Sequence, residues 1–251
     1  MRRILLAAAF FLAFTYGSRA QFARDTLSLR SDFKASQLIA PALLLGSGVA
    51  INRLAHESID LRLRDYVQDD LRRGGELRFY DIGSYLQYVP TAAHLGLGLT
   101  GIKSRHSFFD RLIESAIANV VCFGTTRTLK YVFKEKRPDS DVYTSFPSGH
   151  TAVAFTGAEL MRMDYGNAWG AGAYAVALFC GAERVWGDRH WFSDVLAGMG
   201  AGILSAKAGG WLLKPVKRLF GVPDYFWDGF AFVPYVDPLS GTFSASLALQ
   251  F

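Results

Sequence analysis

Cysteine is scarce in this sequence. Cys122 and Cys180 stand far apart in apolar, helix-like runs. They read as two buried thiols rather than a disulfide framework, and no cysteine–histidine spacing suggests zinc. Charge of one sign is scarce too. The net charge of +5 owes three cations to Arg2, Arg3 and Arg19; beyond residue 20 the balance is 24 basic against 22 acidic, with no long basic run. That excludes an electrostatic nucleic-acid surface. Strand-like alternation is absent before residue 225, and repeats and low-complexity linkers are absent throughout. With 51% hydrophobic residues the chain is too apolar for disorder. Long uninterrupted apolar runs are few. Only 35–52, 82–102 and 165–182 pass about 18 residues without Asp, Glu, Lys or Arg, the length that a bilayer crossing asks for.

What is present reads as three parts. Residues 1–20 have a charged head at Arg2 and Arg3, an apolar stretch from Ile4 to Phe14 and small residues Ser18 and Ala20, the pattern of a secretory signal. Residues 21–214 read as one all-α bundle of about six helices, with apolar segments near 35–52, 84–102, 107–133, 150–163, 168–184 and 192–213. Between the first two lies a charged stretch, 53–81, in which Ile59, Leu63, Tyr66, Val67 and Leu71 recur at helical spacing, as in an amphipathic surface helix. Gly, Ala and Ser are frequent in the apolar segments, as in closely packed helices. The tail, 215–251, alternates at Phe243, Ala245, Leu247 and Leu249, a strand pattern. "GFAFVPYV" is its expected partner strand and "DPLSG" the turn, giving a short C-terminal β-hairpin.

Three short motifs carry chemistry. In "KYVFKEKRP" Lys130 and Arg137 are seven apart, two helical turns, before Pro138 stops the helix. Alone, such basic residues read as partners of a helix C-terminus. In "SFPSGHTA" Ser148 can cap a helix, Gly149 lets a ligand approach the backbone, and the free N–H groups favour an oxyanion. His150 then sits where it could donate a proton. In "ERVWGDRHWFSD" Arg184 precedes His190, and Asp194 follows His190 by four, so its carboxylate can accept from Nδ1 and leave Nε2 basic. Alone, that pair reads equally as a structural cap.

In this order the three motifs resemble, residue for residue, the signature of the type 2 phosphatidic acid phosphatases, the superfamily that includes class A acid phosphatases and vanadium haloperoxidases. The resemblance covers about residues 85–213. It implies a helical, membrane-associated fold and a metal-independent phosphatase without cofactor. Lys130, Arg137 and Arg184 would bind phosphate oxygens, with the backbone N–H groups of Ser148 and Gly149. His190 would attack phosphorus to give a phosphohistidine. His150 would protonate the leaving group and Asp194 would orient the nucleophile. One departure is Glu183, where the family usually has Ser. The exported start and lipid-like helices suit an envelope enzyme, in the inner membrane or periplasm, acting on a lipid phosphate such as lipid A, polyprenyl diphosphate or phosphatidylglycerol phosphate. The alternative is a soluble periplasmic acid phosphatase. No protein partner is implied. His56, His94 and His106 match no motif and read as surface or core histidines; Asp139 and Asp141 read as solvated loop acids.

Overall fold

The computed structural model describes residues 33–71, 82–100, 102–222, 230–236 and 243–249. The secretory-signal reading of residues 1–20 and the turn at 237–241 lie outside them. The described body is helical: α1 (Ile39–Leu54), α2 (Arg62–Asp65), α3 (Ile82–Leu86), α4 (Val89–Leu97), α5 (Phe108–Phe133), α6 (Gly149–Tyr165), α7 (Asn167–Trp186) and α8 (Phe192–Leu219). α2 is the middle turn of a longer helical segment, because His56–Leu61 and Tyr66–Leu71 continue it on both sides with wider, π-type turns. Two strands, β1 (Phe230–Val236) and β2 (Phe243–Leu249), pair antiparallel, with Phe230 opposite Leu249.

α8 is the hub. It packs against α1, α5 and α6, while α6 also packs against α7 and α4. The sequence allows this crowding through small residues. A Cβ on Gly200 would stand 2.5 Å from the Pro41 carbonyl of α1, and one on Gly202 would stand 2.3 Å from the Ala152 carbonyl of α6. The core between α6, α7 and α8 is accordingly built from Ala154, Phe155, Ala158, Met161, Ala173, Ala177, Cys180 and Ile203. Cys122 and Cys180 are free and buried.

Helix ends follow the local chemistry. The Ser107 hydroxyl accepts from the Asp110 N–H and starts α5. The Ser148 hydroxyl does the same for the Thr151 N–H and starts α6. α5 stops sooner than expected. Lys134 adopts a left-handed conformation (φ 47°) and closes the helix, so Arg137 lies on the following loop, its N–H bonded to the Val142 carbonyl. Lys130 and Arg137 therefore do not share a helix face. The expected segment 84–102 is also divided: α3 ends at Leu86, and Pro90 in the first turn of α4 starts a new helix.

The charged segment differs from its expected orientation. Its polar residue Asp60 is buried, while Ile59, Tyr66 and Leu71 are exposed and Val67 alone of the apolar set is buried. Among the described residues two helices are long and apolar enough to cross a membrane, Ala35–Leu54 and Phe192–Leu219; just over half of the second is buried against its neighbours.

Candidate active site

All three motifs meet at one end of the bundle. The C-terminal end of α5, the N-terminus of α6, the C-terminal end of α7 and the N-terminus of α8 converge there. The approach of the two N-termini is close, since a Cβ on Gly198 would stand 2.7 Å from the Ser148 carbonyl. The Ser148 N–H donates to the Asp194 carbonyl at 3.0 Å, which ties the second motif to the third. That N–H is thereby taken, so the backbone share of anion binding falls on Gly149 and the residues after it. The space beside the Gly149 Cα is open for 4 Å.

His190 and Asp194 are both buried, at 3% and 0% exposure. The Asp194 carboxylate lies 3.1 Å from His190 Nδ1. It also accepts from the Trp191 N–H at 2.9 Å, as a helix residue reaching back over its own N-terminus, and from the Ser145 hydroxyl. Ser145 Oγ is itself 3.4 Å from Nδ1. These contacts fix the ring through Nδ1 and leave Nε2 for chemistry. Burial pushes the His190 imidazole below its ordinary range; Asp194 works against that, and the charges of Lys130 and Arg137 add to it. The surroundings thus favour the neutral ring of His190.

Lys130 donates to the carbonyls of Thr144, Ser145 and Pro147 at 2.5, 3.0 and 2.7 Å, clamping the loop that leads into the second motif. Burial lowers its ammonium to about 8, although Asp194 works to raise it. Arg137 Nε is buried without a hydrogen-bond partner among the described residues. A buried guanidinium nitrogen left without an acceptor is ready for an anion's oxygen. Arg184 is buried and its guanidinium is held by the carboxylate of Glu183, the residue that departs from the family pattern. His150 stands in the first turn of α6, with Nε2 3.3 Å from the Ser84 hydroxyl. Gly83 packs against Glu183 and Arg184, where a Cβ would stand 2.2 Å from the Glu183 carboxylate. α3 therefore closes the site over both His150 and Arg184.

Sequence reasoning missed Ser84, Ser145 and Glu183's grip on Arg184. Ser145 opens the second motif, and its hydroxyl three residues before Ser148 was the available signal. Ser84 had none. The loop acids Asp139 and Asp141 are exposed, as expected, and each pairs with a nearby cation: Asp141 with Lys136 at 2.6 Å and Asp139 with Arg189 at 2.9 Å.

The helical bundle thus gathers a buried His–Asp pair, a lysine, two arginines and a second histidine at a helix N-terminus, a set whose charge and donors suit an oxyanion. The chain matches the family model of the PAP2 superfamily over residues 111–214. It is 37% identical over 163 residues to the lipid A 1-phosphatase of Porphyromonas gingivalis, a match covering 61% of this chain and 36% of that protein. The chain thus spans about a third of the length of the curated relative it matches. Two solved structures are similar. LpxE of Aquifex aeolicus matches at 22% identity with a TM-score of 0.45, over 60% of this chain and 93% of that one. A transmembrane PAP2 type phosphatidylglycerolphosphate phosphatase from Bacillus subtilis matches at 21% with a TM-score of 0.47, over 73% and 96%.

Proposed function

We propose that this protein is a phosphatase that hydrolyses a phosphate ester of a membrane lipid through a phosphohistidine. The observation that carries the reading is the His190–Asp194 pair at 3.1 Å, with Lys130 and Arg137 bearing on the same imidazole. His190 Nε2 attacks phosphorus in line and the ester C–O–P bond breaks at phosphorus. His150 gives its proton to the departing alkoxide, then takes one from the water that cleaves the P–N bond. Arg137 and Arg184 bind the phosphate oxygens, Lys130, whose three N–H groups go to the loop carbonyls, adds its positive charge, and Gly149 with the first turn of α6 supplies N–H donors as charge develops. Asp194 stabilises the cationic ring. The charge the reaction needs comes from side chains.

A lipid substrate is supported by the outward faces. Leu43 on α1, Val120 and Phe123 on α5 and Leu178 on α7 are all at least half exposed. Such a coat of large apolar side chains suits contact with acyl chains. The similarity to a lipid A 1-phosphatase favours the phosphate of a lipid A type glycolipid, handled in the cell envelope.

The test is phosphate release by the purified full chain in detergent with EDTA. Lipid A, polyprenyl diphosphate, phosphatidylglycerol phosphate and a soluble aryl phosphate are offered side by side, with His190→Ala as control. Preference for one lipid and no turnover by His190→Ala are expected. Normal activity in that variant would sink the nucleophile assignment, and better turnover of the soluble ester would move the protein to the acid-phosphatase alternative.

A further inference from the structure

The α8 N-terminus carries Asp194, and the α7–α8 connection carries His190. The connection is bonded to the end of α7, where the Arg189 and His190 N–H groups donate to the Arg184 carbonyl at 3.0 and 3.2 Å. The helical segment 56–71 holds it from outside, at three points. Asp60 is 1% exposed, and its carboxylate accepts from the Ser193 N–H at 2.9 Å and the Ser193 hydroxyl at 2.6 Å. It thus caps the first turn of α8 from 133 residues away, doing what a local N-cap side chain does elsewhere. His56 Nδ1 lies 3.0 Å from the same carboxylate, and the ring meets Trp191 edge-on at 4.7 Å. Arg64 makes a two-pronged bond to Asp188, 2.7 Å on each arm, and its guanidinium lies over Trp191. Asp188 is the left-handed residue of the turn (φ 58°), an arrangement that a non-glycine residue holds only when its surroundings over-determine it. Gln68 donates to the carbonyl of Trp186 at 3.2 Å and lies 3.4 Å from that of Val185, at the end of α7.

His56, Asp60, Arg64 and Gln68 are four apart, so they form one stripe on the inward face of the segment. That stripe touches the end of α7, the turn, and the start of α8 in order. Building on the phosphatase reading above, we propose that Asp60 and Arg64 are positioning residues for the nucleophile: the segment 56–71 is a strap that sets where His190 and Asp194 stand. Neither residue touches the reacting atoms. Each acts through the connection it holds.

The test uses the full chain in detergent and the soluble aryl phosphate, with rates normalised to folded protein from thermal unfolding. Asp60→Ala and Arg64→Ala are each expected to lower kcat about 10- to 100-fold, the effect of misplacing a reacting group by a fraction of an ångström to an ångström. KM should stay within about threefold, because Lys130 and Arg137 are untouched. Arg64→Ala combined with Asp188→Ala should be no slower than the worse single variant, since both break one contact. The acid limb of kcat/KM should also move to lower pH. It reports His190, which Asp194 faces from α8, Lys130 from α5 and Arg137 from the loop after it; loosening Asp194 removes the support that keeps the ring basic. A purely structural defect would scale the rate equally at every pH. Asp60→Asn keeps one acceptor and the packing, and it decides the matter with Arg64→Ala if Asp60→Ala does not fold. A kcat within about threefold of wild type in Arg64→Ala and Asp60→Asn, or a loss uniform in pH, overturns the strap. Wild-type protein that turns over no ester overturns the phosphatase reading itself, a result distinct from a wild type that is active and indifferent to Asp60.

Discussion

The two ends of the bundle are built from the same residue types and behave in opposite ways. At one end His190 meets Asp194. At the other, His94 Nε2 lies 2.6 Å from Asp164, and His106 Nδ1 lies 2.7 Å from the second oxygen of Asp164 and 3.3 Å from Glu114. By helix rise, Glu114 and Lys130 on α5 are about 24 Å apart. The surroundings differ in sign. Around His190 stand one carboxylate and two cations, so burial and repulsion press the ring towards neutrality. Around His106 stand two carboxylates. Burial works against its charge, yet the bonds to Asp164 and Glu114 outweigh it and lift the ring to about 10. One histidine is kept uncharged with a nitrogen to spare, while the other is kept charged between two acids. What separates the two ends is what surrounds the His–Asp contact, because the contact itself occurs at both.

The same substitution at each end breaks this comparison most sharply. Asp194→Asn should lower kcat about 10²- to 10⁴-fold, because a neutral amide supports neither the tautomer nor the cationic ring. Its unfolding transition should move little, since the amide can still accept from Ser145 or the Trp191 N–H. Asp164→Asn should do the reverse. It strands His106 beside Glu114 in a buried site and should cost about 3–5 kcal/mol of stability, with kcat per folded molecule near wild type. Paired denaturation and turnover assays check both, and a rate loss from Asp164→Asn at full stability would couple the two ends. Next in size is His150→Ala, expected to cost about 10²- to 10⁴-fold on an alkyl phosphate and least on an aryl phosphate whose leaving group needs no proton. An equal loss on both esters would contradict its role as an acid. Smaller again is Glu183→Ser. Freed from the carboxylate, Arg184 should hold inorganic phosphate more tightly by about three- to tenfold, read as a lower inhibition constant; weaker inhibition would show that Glu183 aims Arg184 rather than competing with phosphate for it.

Much of the candidate site was legible in the sequence because its residues sit in three short runs whose spacing matters locally. The helical body was legible too, from the apolar runs and from Ser148 as a cap. What escaped was carried by distance along the chain. Asp60 and Ser193 are 133 positions apart, and nothing near either residue announces the pair. The segment 56–71 was legible as a helix, but its inward face was not: periodicity assigns the apolar stripe to the core, whereas here Asp60, Arg64 and Gln68 face in because they answer open backbone groups and a turn. The far end failed for the same reason. Glu114 looks like an obstacle in an apolar helix until His106 is placed beside it by the loop before α5. The early end of α5 was hidden as well, because Lys134 in a left-handed conformation closes it and no glycine marks the place.

The smallest effect expected separates the ends by pH. The free enzyme's kcat/KM needs His190 neutral and Lys130 charged. His190 lies below the ordinary imidazole value of about 6.5, so the neutral nucleophile persists as pH falls and the acid limb sits below that value. Lys130 lies near 8, so one phosphate-binding charge is lost above it and kcat/KM should decline from about pH 8 upward. Stability should follow the other end. His106 is raised in the folded state, so its contribution is full below its unfolded value near 6.5 and fades as pH climbs through about 10. For Asp164, burial would raise the carboxyl, but hydrogen bonds from His106 and His94 hold it near 2; its contribution is full above the unfolded value of about 3.9 and lost only as pH falls towards 2. From about pH 4 to 6.5, then, His106 and Asp164 keep their full contributions while the acid limb of activity is crossed, and Glu114, which burial raises, loses stability only as pH climbs and so cannot mimic a loss on the acid side. Thermal unfolding and kcat/KM measured across the same buffers check this. If the unfolding temperature falls in step with the acid limb, the loss of activity there is unfolding rather than protonation of His190, and the electrostatic contrast between the two histidines would have to be withdrawn.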